Sequence, residues 1–179
     1  MEPLTTYDRI ARMYAHQEAD RVPVIDSPWN ATIERWQREG MPEDVSYVDF
    51  FDLDKIAHIS VDNSPQYPTE VIEETEEYVI NTTAWGATLK NWKHIASTPE
   101  FMDFRIDGPD AWQAAKAQMT PSDDRIPWDR LRANYGTWRR EGHWIEAYMW
   151  FGFDVTHSWT VGTERLLMAL LTDPAWCVD

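Results

Sequence analysis

Cysteine, long apolar runs and positive charge are all scarce in this chain of 179 residues. The single cysteine, Cys177, excludes an internal disulfide and a zinc site built from several cysteines. No stretch reaches the roughly 18 apolar residues that a membrane-spanning helix needs, and residues 1–5 lack the basic and apolar regions of a signal peptide. We therefore expect a soluble, cytoplasmic protein that does not enter a membrane.

The charge balance limits the classes of partner. The chain has 16 lysines and arginines against 31 aspartates and glutamates, which gives a formal net charge of -15. A nucleic-acid backbone or an anionic membrane surface would be repelled by such a chain. We expect neither as a partner.

Apolar and aromatic residues, by contrast, are plentiful. Hydrophobic residues make up 43% of the chain and aromatic residues 13%, which is enough for a packed core. The 11 tryptophans are spread along the whole sequence. Tryptophans either fill a core or line a pocket for a flat, apolar ligand, and the sequence leaves both roles open.

Hydrophobic periodicity predicts strands and helices that alternate along most of the chain. The predicted strands are residues 21–25, 56–61, 102–106 and 143–151, with two antiparallel strands at 76–82 and 86–90. The predicted helices are residues 30–39, 107–119, 127–141 and 162–171, a first helix capped by Thr5 or Thr6 that runs to about Ala19, and a helical turn at 47–53. In the helix at 127–141 we expect the apolar side chains to point inward; they are Trp128, Leu131, Tyr135 and Trp138. We also expect His58, within the strand at 56–61, to lie in the core.

The alternation predicts an α/β fold with a mainly parallel sheet. A (β/α)8 barrel needs roughly 250 residues, so the chain can supply about half of one, with a short antiparallel excursion at residues 70–92. Near the end, Asp173 and Pro174 form a helix-start signal, an N-cap carboxylate followed by proline at the first helical position. Only five residues follow Pro174, so we expect either a frayed terminus or a chain cut within a larger domain.

Several short motifs resemble one protein superfamily in their order and spacing. They are Asp20-Arg21-Val22-Pro23-Val24, His58 to Asp62 with Pro65-Gln66-Tyr67-Pro68, Trp85-Gly86 with Leu89-Lys90, Asp107 to Trp112 with Lys116, and Glu164 with Leu166-Leu167 before Asp173-Pro174. This series resembles the N-terminal half of the uroporphyrinogen decarboxylase superfamily, which includes the decarboxylases and the cobalamin-dependent methyltransferases. The resemblance implies half of a single TIM barrel and covers nearly the whole chain. It places residues 26–30, 62–68 and 151–159 around the barrel mouth, and barrel enzymes carry their chemistry after the strands.

One departure from the superfamily bears on function. The resemblance predicts an Arg-Gln-x-Gly-Arg segment that binds substrate carboxylates, but residues 26–30 read Asp-Ser-Pro-Trp-Asn, without arginine. Because a tetrapyrrole with many carboxylates needs cationic partners, the departure favours the methyltransferase branch. In that branch a His-x-Cys…Cys zinc site holds the methyl acceptor, and the resemblance puts those ligands beyond Asp179. We therefore expect no metal or cofactor site within this chain, and zinc and a corrinoid in the complete protein.

Six residues are candidates for the site. Asp62 and His157 are the catalytic candidates, since Asp62 matches the superfamily's active-site aspartate and His157 follows a predicted strand. Each also has a structural alternative, an Asx-turn before Pro65 for Asp62 and a surface or capping role for His157. The substrate-binding candidates are Trp29, Asn30, Tyr67 and Trp159.

Three hypotheses about function follow. The favoured one is corrinoid-linked methyl transfer, or demethylation of a small methylated compound, with a small molecule or a corrinoid protein as partner. The second is decarboxylation of a tetrapyrrole carboxylate. In the third, the chain is an inactive fragment or a binding subunit, completed by a second chain, and an isolated piece would then associate with itself because an incomplete barrel exposes sheet edges and apolar surface.

Overall fold

The computed structural model describes residues 3–179 as a mixed α/β protein with two separate sheets. One sheet is a parallel pair of β1 and β6, and the other is antiparallel with the order β2-β3-β4-β5. The strands are β1 (Ile56–Ser60), β2 (Val71–Glu74), β3 (Tyr78–Thr82), β4 (Ala87–Trp92), β5 (Glu100–Phe104) and β6 (Trp144–Tyr148). The described strands close no barrel.

Eight helices accompany the sheets in the described residues, together with a 3-10 turn at Asp123–Arg125 and a π-helical turn at Thr156–Thr160. They are α1 (Thr6–Tyr14), α2 (Asn30–Arg38), α3 (Tyr47–Phe50), α4 (Pro109–Gln118), α5 (Trp128–Arg140), α6 (Phe153–Val155), α7 (Thr163–Thr172) and α8 (Pro174–Val178). Side-chain caps start three of them, since Thr5, Ser46 and Asp173 accept backbone N–H groups of α1, α3 and α8. Within the described part of the chain, every helix is too short or too polar to cross a bilayer.

The chain divides into two compact units. The first combines the segment that ends at Val61 with Ile126–Tyr148, and the second combines Asp62–Arg125 with Met149–Asp179. The parallel pair and helices α1, α2, α3 and α5 belong to the first unit. The antiparallel sheet and helices α4, α6, α7 and α8 belong to the second.

A buried ion-pair network organises the first unit. The Arg9 guanidinium is nearly inaccessible and contacts Asp54, whose side chain is completely buried, and also Asp20 at 2.7 Å. Arg21 reaches the second oxygen of Asp54 at 2.6 Å. The network joins α1 to the residues just before β1. Ion pairs rather than apolar packing therefore hold these two segments together.

The predicted strand at residues 21–25 is wrong. This segment is extended but forms no ladder, and the side chains of Val22, Val24 and Ile25 are exposed. The backbone N–H of Val24 donates to the Asp54 carboxylate at 2.8 Å, and the N–H of Asp54 donates to the carbonyl of Val24 at 2.9 Å. Side chains take the N–H groups of Arg21 and Val24, and Pro23 has none, so three of the five residues at 21–25 have no donor for a strand ladder.

Two expectations about inward-facing side chains in the first unit are also wrong. In helix α5 Leu131 and Trp138 are half-buried, but no residue of the helix is buried and Trp128 and Tyr135 are exposed, so the expectation is wrong for those two. His58 is exposed as well, and its Nδ1 lies 2.8 Å from an Oε1 of Glu146, its register partner on β6. A polar partner on the neighbouring strand allows this histidine to stand on an open sheet face rather than in a core.

An apolar cluster organises the second unit. Ile106 and Ala115 are completely buried against Val161 and Leu166, with Trp112 and Trp176 packed around them. Helix α4 enters the cluster through Ala115, as the predicted helix at 107–119 requires, although Gly108 rather than Asp107 is the N-cap. At the end of the chain, the Asp179 side chain accepts hydrogen bonds from Trp112, Gln113 and Lys116 of α4.

The antiparallel excursion is confirmed as a sheet. Strands β3 and β4 pair at the residues predicted for two antiparallel strands, with Ile80 opposite Lys90. Strand β2 was not predicted, because all four of its residues are exposed and two are glutamates. The predicted strand at 102–106 is shifted to Glu100–Phe104, and it pairs with β4 through a bulge.

Candidate functional site

Two loops of the second unit form the candidate site. One, residues 62–67, follows β1 in the chain, and the other, residues 150–159, follows β6. The Asn63 side chain donates to the backbone carbonyl of Trp150 at 2.6 Å, so the two loops are joined directly. We call these residues, together with Trp85 of the β3–β4 turn, the two-loop site.

The Asp62 carboxylate lies in an Asx-turn of the first loop. Its Oδ1 accepts the backbone N–H of Ser64 at 3.0 Å and the Ser64 hydroxyl at 2.6 Å, and its Oδ2 accepts the Gln66 amide at 2.9 Å. Ser64 is buried, and Gln66 has a left-handed backbone with a φ of 57°. The structural alternative for Asp62 is therefore present, but a carboxylate oxygen accepts about two hydrogen bonds, so Oδ2 keeps a free acceptor position.

The surroundings of Asp62 keep it ionised. Burial alone would raise the pKa of the Asp62 carboxyl, but the hydrogen bonds from Ser64 and Gln66 outweigh this effect and hold the pKa below its ordinary value of 3.8. Asp62 is therefore an anion at neutral pH. Its chemical role is that of an acceptor or a counter-charge rather than a proton donor.

Arg125 holds the backbone of the first loop through hydrogen bonds, and this role was not predicted from the sequence. Its guanidinium donates to the backbone carbonyls of Asp62 at 2.9 Å and Ser64 at 2.8 Å, and also to the carbonyl of Gln118. The N–H of Asp62 in turn donates to the Arg125 carbonyl at 3.2 Å. An arginine at the end of a polar loop carries no sequence signal for such a role.

His157 lies in the π-helical turn of the second loop and is half-buried. Its Nδ1 is 3.0 Å from the Thr163 hydroxyl, its Nε2 is 3.7 Å from Asp154, and its ring stacks on Phe153 with centroids 4.9 Å apart. These neighbours fix the ring plane and place a carboxylate near Nε2. The Ser158 hydroxyl lies 3.0 Å from the same Nε2, so neighbours at both ring nitrogens hold the ring in one orientation.

Three half-buried indoles of the site contact one another. The rings of Trp150 and Trp159 cross at 61° with centroids 5.1 Å apart, and those of Trp85 and Trp150 cross at 83° with centroids 6.2 Å apart. The Trp150 indole N–H donates to Asp154 at 2.9 Å. Trp159 was a predicted site residue. Trp85 and Trp150 were not, although the Trp85-Gly86 motif was a signal for the first of them.

Tyr67 is held at one end of the first loop. Its backbone N–H donates to the Ala84 carbonyl at 3.1 Å, and its ring lies so close to Gly86 that an added Cβ would approach the ring to 3.1 Å. The Arg105 guanidinium lies 4.5 Å from the centre of the same ring. Gly86 therefore permits the close approach of the β3–β4 turn to the first loop. The Tyr67 ring packs against this turn.

The other two predicted substrate-binding residues belong to the first unit. Trp29 is the N-cap residue of α2 with 54% of its surface exposed, and Asn30 is the first residue of that helix. Asp62, His157, Tyr67 and Trp159 all belong to the second unit. The structure thus brings four of the six candidates into one unit, and Trp29 and Asn30 stay predictions based on the resemblance alone.

Metal-ligating side chains are dispersed in the part of the chain that the structure describes. Residues 3–179 contain no group of three or more histidine, cysteine, aspartate or glutamate side chains that could hold a metal ion. Comparison of the chain with protein families, with curated proteins and with solved structures finds no match in any of the three.

Proposed function

We propose that this chain is the N-terminal part of a uroporphyrinogen-decarboxylase-like barrel from the branch that transfers methyl groups to or from a corrinoid. The ordered motifs of the sequence are the basis of the proposal. The parallel pairing of β1 with β6 is consistent with it, since neighbouring parallel strands are the unit of such barrels. The loops that follow these two strands contain Asp62 and His157 and are bonded to each other.

The observation that carries the proposal is the state of Asp62. It is an exposed carboxylate, its pKa lies below the ordinary value despite the effect of burial, and one acceptor position of Oδ2 is free. An anionic acceptor of this kind orients an N–H or O–H group of a substrate. A substrate N–H or O–H group can therefore bond to Oδ2 without displacing a hydrogen bond of the protein.

The distribution of positive charge supports a substrate without many carboxylates. Residues 26–30 contain no arginine or lysine. Near the first loop, Arg125 is bound to three backbone carbonyls and Arg105 lies over Tyr67. A polycarboxylate would need free cationic donors at the site, whereas a neutral or cationic methyl donor would not.

The residues of the two-loop site have separate roles in this proposal. Asp62 orients an N–H or O–H group of the bound ligand, and the indoles of Trp150 and Trp159 exclude water from the methyl group. His157 gives a proton at Nε2 to the leaving group as the methyl group departs, and solvent then restores that proton. A bound corrinoid supplies the nucleophile that accepts the methyl group. The resemblance puts the zinc ligands of this branch beyond Asp179, and the roles of Asp62, His157 and the indoles do not depend on them.

One observation also suits the second hypothesis, decarboxylation of a tetrapyrrole. The anionic Asp62 would accept the N–H groups of pyrrole rings and stabilise positive charge that develops on them. The lack of a carboxylate-binding arginine opposes this alternative. The two hypotheses therefore differ in the ligand that they require, which a binding measurement can decide.

The test is a titration of the purified chain with methylcobalamin and, separately, with a uroporphyrin, followed by induced circular dichroism of the ligand's visible bands. We expect the two-loop site to supply part of the surface that a corrinoid contacts, so methylcobalamin should bind more tightly than the uroporphyrin. Asp62→Asn should weaken that binding about tenfold, because a neutral amide replaces the charged acceptor. Asp110→Asn, an exposed aspartate in the first turn of α4, is the matched control. Tighter binding of the uroporphyrin would favour the alternative, and binding of neither ligand would reject both.

A further inference from the structure

We infer that the three indoles of the two-loop site, together with the carboxylates of Asp62 and Asp154, bind a small methylated ammonium cation. The inference identifies a chemical class of ligand, and as a substrate class it rests on the proposed function. As a binding site it depends only on the residues described below. A methylated ammonium has a positive charge spread over methyl groups, a form of charge that both carboxylates and aromatic ring faces attract.

Each of the three indoles keeps part of its surface in solvent. The planes of Trp85, Trp150 and Trp159 cross at 83° and 61° rather than stacking in parallel, and all three rings are half-buried. An edge-to-face crossing covers part of one ring face in each pair, as the Phe101 ring also does at Trp159, but the half-buried rings keep some surface in solvent. A cation within about 6 Å of a tryptophan centroid is attracted by the negative face of the ring.

Asp154 contacts an indole of the site directly, and Asp62 is connected to the same tryptophan through its neighbour Asn63. Asp154 accepts the indole N–H of Trp150, and its side chain is still 70% exposed. Asn63, next to Asp62 in the chain, donates to the backbone of Trp150. The hydrogen bond from the Trp150 N–H to an anion also increases electron density in the ring, which strengthens its attraction for a cation.

The protein's own cations occupy other rings. Lys90 lies 4.0 Å from the centroid of Tyr78 and 4.3 Å from that of Trp92, and Arg105 lies over Tyr67. Among the described residues, the six cation–ring contacts involve none of the three indoles of the site. The excess of acidic residues over the whole chain also favours a cationic ligand, since a net charge of -15 attracts cations from solution.

Choline and its neutral isostere 3,3-dimethylbutan-1-ol are the probes for this site. They have nearly the same shape and differ in charge, so a comparison by isothermal titration calorimetry separates the charge contribution from apolar burial. We expect choline to bind about tenfold more tightly, the ratio that a cation–ring attraction of about 1.4 kcal/mol gives. Equal affinities of the two probes would overturn the inference.

Substitutions locate the binding. Trp159→Leu removes a ring of the site, and Asp154→Asn removes charge without removing apolar surface; we expect each to reduce the preference for choline to less than about threefold. Trp92→Leu removes a ring that Lys90 already occupies and serves as the matched control, for which we expect an unchanged preference. A preference that survives both site substitutions, or that Trp92→Leu abolishes equally, would reject this location.

The outcome is distinguishable from failure of the proposed function. Choline preference without methylcobalamin binding would reject corrinoid-linked methyl transfer and leave the cation site in place. Methylcobalamin binding without choline preference would reject the cation site only, since a corrin ring can pack on indoles through apolar contact.

Discussion

The two units of the chain bury different kinds of residues at their centres. In the first unit the most buried side chains include Arg9 and Asp54, which form an ion pair. In the second unit the centre is apolar, and Ile106 and Ala115 have no exposed surface. Both units leave large apolar side chains in solvent, the first on the segment at 21–25 and on α5, and the second on α7.

This difference predicts different sensitivities. An ion pair inside a protein contributes little net stability compared with an apolar replacement of the same shape, but the loss of one partner leaves a charge that is both buried and unpaired. An apolar centre loses stability in proportion to the volume removed and is insensitive to pH. We therefore expect acid, and substitutions that remove one charged side chain, to disrupt the first unit more than the second.

The largest effect is expected from Asp54→Ala. The change removes the partner of the buried Arg9 and also the acceptor of the Val24 N–H and of Arg21. We expect a loss of about 3–5 kcal/mol in the free energy of unfolding, measured by urea denaturation. Hydrogen exchange should become faster in α1 and in residues 20–25 and stay unchanged in β4.

Asp52→Ala is the matched control for that change. Asp52 is 97% exposed at the side chain and lies 4.0 Å from Arg21, so its loss should alter the free energy of unfolding by less than about 0.5 kcal/mol. If Asp54→Ala cost no more than Asp52→Ala, the buried network would not organise the first unit.

A somewhat smaller effect is expected from Ile106→Ala in the second unit. The side chain is completely buried beside Ala115, Val161 and Leu166, and its truncation leaves a cavity. We expect a loss of about 3 kcal/mol, with faster hydrogen exchange in α4 and α7. Ile72→Ala on the exposed strand β2 is the control and should have almost no effect, because Ile72 is 60% exposed; comparable losses would refute an apolar centre at Ile106.

Acid should affect the first unit before the second. The hydrogen bond from Arg9 lowers the pKa of Asp20, and at Asp54 the hydrogen bonds from Val24, Arg9 and Arg21 outweigh the effect of burial and also lower the pKa. Because both folded-state pKa values lie below the unfolded value of 3.8, the stability from these groups is complete at neutral pH. It decreases as the pH falls below 3.8 and through the lower folded-state values.

The measurement is hydrogen exchange after incubation at a series of pH values from 7 to 2. We expect protection of α1 to decrease at a higher pH than protection of α4. The Asp54→Ala variant should lose this difference, since its network is already broken. Simultaneous loss of protection in both helices of the unmodified protein would show that the Arg9 network is not the acid-sensitive element.

Local signals in the sequence predicted most elements of the fold. Helix α2 and strands β3 and β4 lie close to their predicted positions, because a periodic apolar pattern and adjacent turn residues determine them. Asp173 caps α8 as predicted from the Asp-Pro pair. The strand at residues 21–25 failed because an aspartate 30 residues away takes the N–H of Val24, a tertiary contact that no local pattern contains.

Contacts between residues distant in the sequence also limited the prediction of the candidate site. The segments that follow β1 and β6 were predicted to contribute to it, because both follow apolar strands. Trp150 and Arg125 were not predicted, since their contacts are with backbone atoms or with residues of another loop. The outward position of His58 could not be predicted either, because it depends on Glu146 in the adjacent strand.

Arg125 has a consequence for any mutational survey of this protein. Its guanidinium spans the carbonyls of Asp62, Ser64 and Gln118, a fork that a lysine, with one compact ammonium group, cannot reproduce. Loss of Arg125 would change the shape of the turn that presents Asp62, so ligand binding would fall although this arginine itself faces only main-chain oxygens. A screen that measures only ligand binding or activity would group Arg125 with the residues that contact the ligand. Only a structural measurement would identify it as a residue that supports the loop.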